Sequence, residues 1–147
     1  MEKDNKKITQ EEILQFYSII QFSEKDLKEN AGGFVMDKGR IQKFKEENQL
    51  IIKTSKTISK HEDRNKFIFT KNRKSQGASF IAHVRNAYSH SNITIDGDYY
   101  LIEDYKTEKK KVKIMTAYGR IHRNLLFPFI DCMMKDREDN LKIPEEK

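Results

Sequence analysis

Arg85, Asn86 and His90 are the side chains whose types and spacing best fit a reaction. They fall within Phe80 to Ile93, FIAHVRNAYSHSNI. Cleavage of RNA by its own 2′-hydroxyl needs a base for the hydroxyl proton and an acid for the leaving 5′-oxygen. It also needs a cation to hold the phosphate as charge shifts. Histidine titrates near neutral pH and suits either proton-transfer role. Arginine offers a planar fork of donors matched to phosphate oxygens and keeps its charge. Asn86 lies four residues before His90, where it can orient the ring or donate to a phosphate oxygen. His83 sits one turn below Asn86 on the same side. It is a second acid–base group or substrate contact, or else a half-buried structural residue. The plainer account of the pair is a surface ion pair at Arg85 and a histidine at a helix C-terminus favoured by the dipole.

The element that must position these groups is a helix over about 76–90, with Ser75 as its cap. Phe80, Ile81, Val84, Ala87 and Tyr88 recur at the spacing of one helical face. His83, Asn86 and His90 fall roughly opposite. Five residues of ideal helix set Arg85 and His90 about 140° apart, so one chain does not align them on a stripe. One such histidine supplies a base or an acid, not both. Arginine is long enough to curl round toward a histidine at the helix end, and two copies of the helix across a two-fold axis, as in a homodimer, would also bring two arginines and two histidines to one cleft.

The surrounding chain reads as mainly helical. Thr9 and Glu12 form a capping box, with Ile8 placed to staple onto Ile13. Ile13, Leu14, Phe16, Tyr17 and Ile20 form the expected buried stripe, to about Phe22. Ser23 and Asp26 suggest a short second helix, ended at Ala31-Gly32-Gly33. Ile41, Phe44, Asn48, Ile51 and Ile52 predict a helix from about Lys38 to Lys53. Residues 53–66 read as a polar loop or frayed helix end, and Phe67-Ile68-Phe69 as a short strand or turn. After His90 the period changes. Strands are expected at 93–96, 99–102 and 112–116, with Asp96-Gly97 as a turn and Lys106–Lys111 as a charged turn. Gly119 leads into a last helix carrying Ile121, Leu125, Leu126, Phe129, Ile130 and Met133. Pro128 either kinks that helix or marks its true start.

The 147 residues fit one domain, with residues 1–7 and about 137–147 as frayed tails. Lysine and arginine outnumber aspartate and glutamate by 29 to 23, a net charge of +6. That balance allows attraction to phosphate. The densest basic runs are Lys71-Asn72-Arg73-Lys74 and Lys109-Lys110-Lys111. They are a solvated loop and a hairpin tip, or, for Lys71, Arg73 and Lys74, contacts to RNA. Tyr99 and Tyr100 pack within a strand or stack on bases. The single cysteine, Cys132, beside Met133 and Met134, reads as core or interface rather than nucleophile. It allows no internal disulfide, which fits a reducing cytoplasm. There is no signal-type apolar core at the N-terminus and no run long enough to span a membrane. No cysteine–histidine cluster, carboxylate pair or phosphate-cradling loop calls for a metal or other cofactor.

Arg85-Asn86-Ala87-Tyr88-Ser89-His90 matches the Arg-Asn-x-x-x-His signature of the HEPN superfamily, small helical domains that include RNA-cutting toxins and defence nucleases. The wider string His-x-Arg-Asn-Ala-x-x-His-x-Asn-Ile resembles a plasmid-associated bacterial branch, in which this helix precedes a short β segment and a final helix. The resemblance implies a four- to five-helix bundle with a short antiparallel β insertion between the motif helix and the last helix. It implies catalysis by Arg85 and His90 across a homodimer interface, with Asn86 and His83 supporting. The function it implies is a metal-independent endoribonuclease, cytoplasmic, in toxin–antitoxin or defence biology, with an antitoxin protein as a possible partner. The alternative is a non-catalytic module binding RNA, a nucleotide or a partner protein. Relatives often carry glycine directly after the motif histidine, where this chain has Ser91. Toxins paired with a nucleotidyltransferase antitoxin often carry tyrosine one place further on, where this chain has Asn92.

Overall fold

The computed structural model describes residues 7–21, 36–73 and 75–141; for Ile20 and residues 137–141 it describes the backbone alone. Helix α1 (Gln10–Ile20) is followed by α2 (Gly39–Glu47), β1 (Ile51–Thr54), β2 (Lys66–Phe69) and α3 (Gln76–Ser89). Then come β3 (Ile93–Asp96), β4 (Tyr99–Thr107), β5 (Lys113–His122) and α4 (Leu126–Leu141). The five strands form one mixed sheet in the order β1-β2-β5-β4-β3. Only β1 and β2 run parallel. The helical bundle expected from the sequence is therefore corrected to an α/β fold with helices packed on a five-stranded sheet.

Two places account for the difference. The helix expected over 38–53 stops at Glu47, because Gln49 takes a left-handed conformation at φ 52°. The Leu50 N–H then bonds back to the Lys45 carbonyl at 2.8 Å, and the Asn48 side chain caps the Phe44 carbonyl at 2.9 Å. This is the usual helix stop made without glycine. It frees Ile51–Thr54 to form β1 beside β2, where the Phe67-Ile68-Phe69 run lies. The second place is Gly119. It does not lead into a helix but sits within β5, opposite Phe67 on one side and Ile102 on the other. The expected hairpin strands at 93–96, 99–102 and 112–116 are present, but β4 and β5 run on to Thr107 and His122.

β4 alternates buried and half-buried residues, which puts Tyr100, Ile102 and Asp104 on one face. That face meets the helices. Phe80 of α3 packs edge-on against Phe67 at 5.5 Å and against Phe129 of α4 at 5.2 Å. Phe16 of α1 stacks on Tyr88 at 4.6 Å and meets Tyr100 and Phe127 at its edges. Such ring pairs add about 0.5–1.5 kcal/mol each beyond the area they bury. The opposite face is covered at its centre by the β1–β2 connection, where His61 meets the Tyr118 ring and its carbonyl accepts from Arg120.

Helix α4 begins at Leu126, so Pro128 lies in its first turn, where a missing N–H costs nothing. The helix runs past the expected end of order near Asp136. That side chain is buried and accepts from the Ile41 N–H at 2.8 Å, capping the start of α2 from 95 residues away. The α1 stripe is narrower than expected. Phe16 and Ile19 are buried, while Ile13, Leu14 and Tyr17 are 43%, 62% and 55% exposed. The short helix expected after Ser23 lies outside the described residues.

The Thr9–Glu12 capping box is present, with bonds of 2.7 and 3.2 Å. Glu12 does more than cap. Arg123, at the β5–α4 corner, holds both its oxygens at 2.8 and 2.9 Å, and the Tyr100 hydroxyl donates to one of them at 2.5 Å. Burial alone would push this carboxyl up, but the donors from Arg123, Tyr100 and Thr9 outweigh it and bring it from an ordinary 4.5 down to about 2. A depressed carboxyl stabilises the fold above its unfolded value and loses that contribution as pH falls through its folded value. Glu12→Gln should therefore cost about 2–4 kcal/mol at neutral pH, the scale for breaking a partly buried charged network. The gap from wild type should shrink between pH 4.5 and 2. Urea unfolding of both proteins across that range measures it.

Candidate functional site

Helix α3 starts with the Ser75 side chain accepting from the Ala78 N–H at 3.1 Å. From Gly77 to Val84 every residue is buried, polar ones included. The helix is thus enclosed on all sides for two turns after the exposed Gln76, and its polar face opens to solvent again in the last turn. There Arg85, Asn86 and Tyr88 are half-buried, and Ser89 and His90 are exposed. Arg85 is engaged by other groups of the fold rather than free.

His90 is the residue that ends the helix, and its N–H still bonds the Asn86 carbonyl at 3.0 Å. Ser91 follows in the left-handed region at φ 61°. The Ser91 N–H bonds the Tyr88 carbonyl and the Asn92 N–H bonds the Ala87 carbonyl, at 3.0 and 2.7 Å. This turn is the one glycine makes at lowest cost, so the serine leaves the backbone after the motif histidine in a glycine-like path. Ser91→Gly should relieve that strain and stabilise the fold by about 1 kcal/mol. The urea midpoint reads it, with His90 left in place.

His83 is only 1% exposed. Its Nδ1 lies 2.8 Å from Asp104 Oδ2 and its Nε2 lies 2.7 Å from the Thr70 carbonyl oxygen. His83 therefore ties α3 to β4 and to the strip that follows β2, and it is sealed from any substrate. Asp104 was not singled out by sequence. Its signal lies in the alternation that puts an acid on the buried face with Tyr100 and Ile102. Ser79, also buried, works alongside His83: its hydroxyl oxygen accepts from the Asn72 and Arg73 N–H groups at 3.0 and 2.9 Å.

Lys71 and Arg73 lie on the strip after β2 that Ser79 and His83 hold against α3, about one to three turns before its end at His90. Lys71 is exposed and Arg73 is half-buried, with Nη1 donating to the Asn72 carbonyl at 2.9 Å. Lys74 lies outside the described residues. Cys132 is half-buried, and burial together with Asp136 pushes its thiol up, away from nucleophilic character. Among the described residues no group of three or more histidine, cysteine, aspartate or glutamate side chains is placed to hold a metal ion. No helix among them is long and apolar enough to cross a membrane.

A helix that ends on an exposed histidine five residues after an arginine, with asparagine next to that arginine, is the HEPN arrangement. Here it is carried on a mixed sheet. The family model described as HEPN pEK499 p136 matches residues 4–140, and the chain belongs to that family. No curated protein and no solved structure matches it.

Proposed function

We propose that the chain is a metal-independent endoribonuclease of HEPN type. It cuts RNA through attack of the 2′-hydroxyl on the adjacent phosphorus, at a site shared by two copies of the chain. The observation that supports this most is the opening of α3 in its last turn, with His90 exposed on a fixed turn and Arg85 just over one turn before it. His90 of one copy takes the 2′-hydroxyl proton as the new P–O bond forms. His90 of the other protonates the 5′-oxygen as its bond to phosphorus breaks, leaving a 2′,3′-cyclic phosphate. Arg85 steadies the phosphate oxygens through that change. Asn86 is placed to hold the ring or a phosphate oxygen, and His83 supports from beneath by fixing the helix. The last turn of α3 is the part left to a second copy, because Gly77 to Val84 are buried within their own chain. This reading fits a toxin–antitoxin or defence setting, in which an antitoxin protein would cover this helix end.

The test is cleavage of single-stranded RNA in EDTA. The reading expects RNA fragments with cyclic phosphate ends, and DNA left intact for want of a 2′-hydroxyl. Activity that vanishes in EDTA and returns with magnesium would overturn it, because the proton transfers are assigned to side chains.

A further inference from the structure

A cleft of about 910 Å³ lies where β1 and β2 end and the β4–β5 hairpin turns back toward them. Lys56, Lys71 and Lys106 line it together with Thr54, Ser55 and Asn72, over a floor that includes Ile58, Ile114 and Met115. No carboxylate and no aromatic ring is among the described residues that line it. Two other clefts carry both signs. The one at the β5–α4 corner has Glu11, Glu12 and Asp98 against Arg123, and the one beside Gly97 has Asp96 and Asp98 against Arg64 and Arg120. The charges of Lys56 and Lys71 are thus left uncompensated in this cleft.

We propose that this cleft binds the phosphate backbone of single-stranded RNA, as a second site whose lining does not include Arg85 or His90. The wall that carries Lys71 and Asn72 is built rather than loose. Two buried side chains of the motif helix hold its backbone: His83 bonds the Thr70 carbonyl, and Ser79 bonds the N–H groups of Asn72 and Arg73. Lys71 is therefore presented from a fixed strip, which lowers the ordering cost of a contact. Among the described residues neither Lys56 nor Lys71 has an ion-pair partner. Lys106 reaches Glu108 at 3.0 Å in an exposed pair, which holds by about 0–1 kcal/mol and can give way to phosphate. Hydroxyls of Thr54 and Ser55 are suited to phosphate and ribose oxygens. With no ring to stack on, the cleft follows the backbone and does not read bases, so binding is insensitive to sequence and sensitive to salt.

This inference rests on the RNA reading above for its choice of ligand, but its test does not depend on cleavage. The protein carries His90→Ala throughout, so that RNA stays intact, and the probe is a fluorescent oligouridylate of about 12 nucleotides, within the usual site size for single-strand binders. Fluorescence anisotropy follows binding in EDTA over a range of salt. Adding Lys56→Ala, Lys71→Ala and Lys106→Ala together should weaken binding by about tenfold or more and reduce the log–log salt slope by about 2, at roughly 0.7 per phosphate contact. A control with Lys38→Ala, Lys43→Ala and Lys135→Ala makes the same change in net charge at exposed positions away from the cleft. It should lose much less. Equal losses in the two triple variants would overturn the proposal, since net charge alone would then explain binding. Full release of the RNA by a few millimolar inorganic phosphate at matched ionic strength would overturn it too, by showing a free-anion site. If wild type fails to cut RNA while the cleft variant loses binding, the cleavage reading falls and this one stands. If wild type cuts RNA while the cleft variant binds normally, the reverse holds.

Discussion

Alanine at His90 should lower RNA cleavage by about 100- to 10,000-fold, the usual cost of removing an acid–base group. The side chain is exposed at the end of α3, and only its backbone N–H joins the helix. The fold should therefore survive the change, and a urea midpoint close to wild type would tie the loss to chemistry. Arg85→Ala should cost about 100- to 1,000-fold, the scale for losing one donor that stabilises transition-state charge. Arg85 also contacts its own fold, so this variant needs the same stability check. Arg85→Lys is the sharper probe. It keeps the charge but loses the planar fork, and it should restore little activity. Gel analysis of end-labelled RNA over a time course measures all three. His90→Ala cutting at the wild-type rate would remove His90 from the chemistry.

Gly119→Ala should destabilise the protein by more than about 3 kcal/mol, at or beyond the upper end for overpacking. A Cβ there would stand 2.1 Å from the Lys66 carbonyl oxygen and 2.5 Å from the Phe67 Cα. Those atoms are backbone of β2, so they cannot swing aside as a side chain would. Relief requires β2 to separate from β5, which breaks the ladder at the centre of the sheet and unseats Phe67 from the core. Gly97→Ala is the companion variant. A Cβ at Gly97 meets open space, and only its φ of 63° resists the change, so about 1 kcal/mol is expected. Thermal or urea unfolding separates the two. A Gly119→Ala protein within about 1 kcal/mol of wild type would contradict the β2–β5 register.

The motif helix was legible because its cues are local. Ser75 caps it, Phe80 and Val84 set its face, and His90 ends it, all within 16 residues of chain. The hairpin strands were legible for the same reason, since Asp96-Gly97 and the alternation around it report a nearby turn. β1 was not. Its partner β2 lies beyond an 11-residue connection and pairs in parallel, so no turn chemistry announces it. Ile51 and Ile52 also continue the helical spacing of Ile41 and Phe44, and the stop between them depends on Gln49 adopting a conformation that glycine usually marks. Gly119 was misread because glycine near the end of an apolar run looks like a break, whereas its purpose is close approach of two backbones. The site divides in the same way. Arg85, Asn86 and His90 could be named from one helix, while the bonds of His83 to Asp104 and Thr70 needed the sheet to be known.

The shared site is tested most directly by mixing chains. Wild type and His90→Ala are refolded together in varying proportions, with chain exchange confirmed by mass tagging, and RNA cleavage in EDTA is recorded. If one His90 is the base and its mate the acid, a mixed pair lacks half the proton-transfer groups and is nearly silent. Activity should then fall as the square of the wild-type fraction. A straight-line fall would show that each chain works alone, and an absence of cleavage at every proportion, wild type included, would contradict the account altogether.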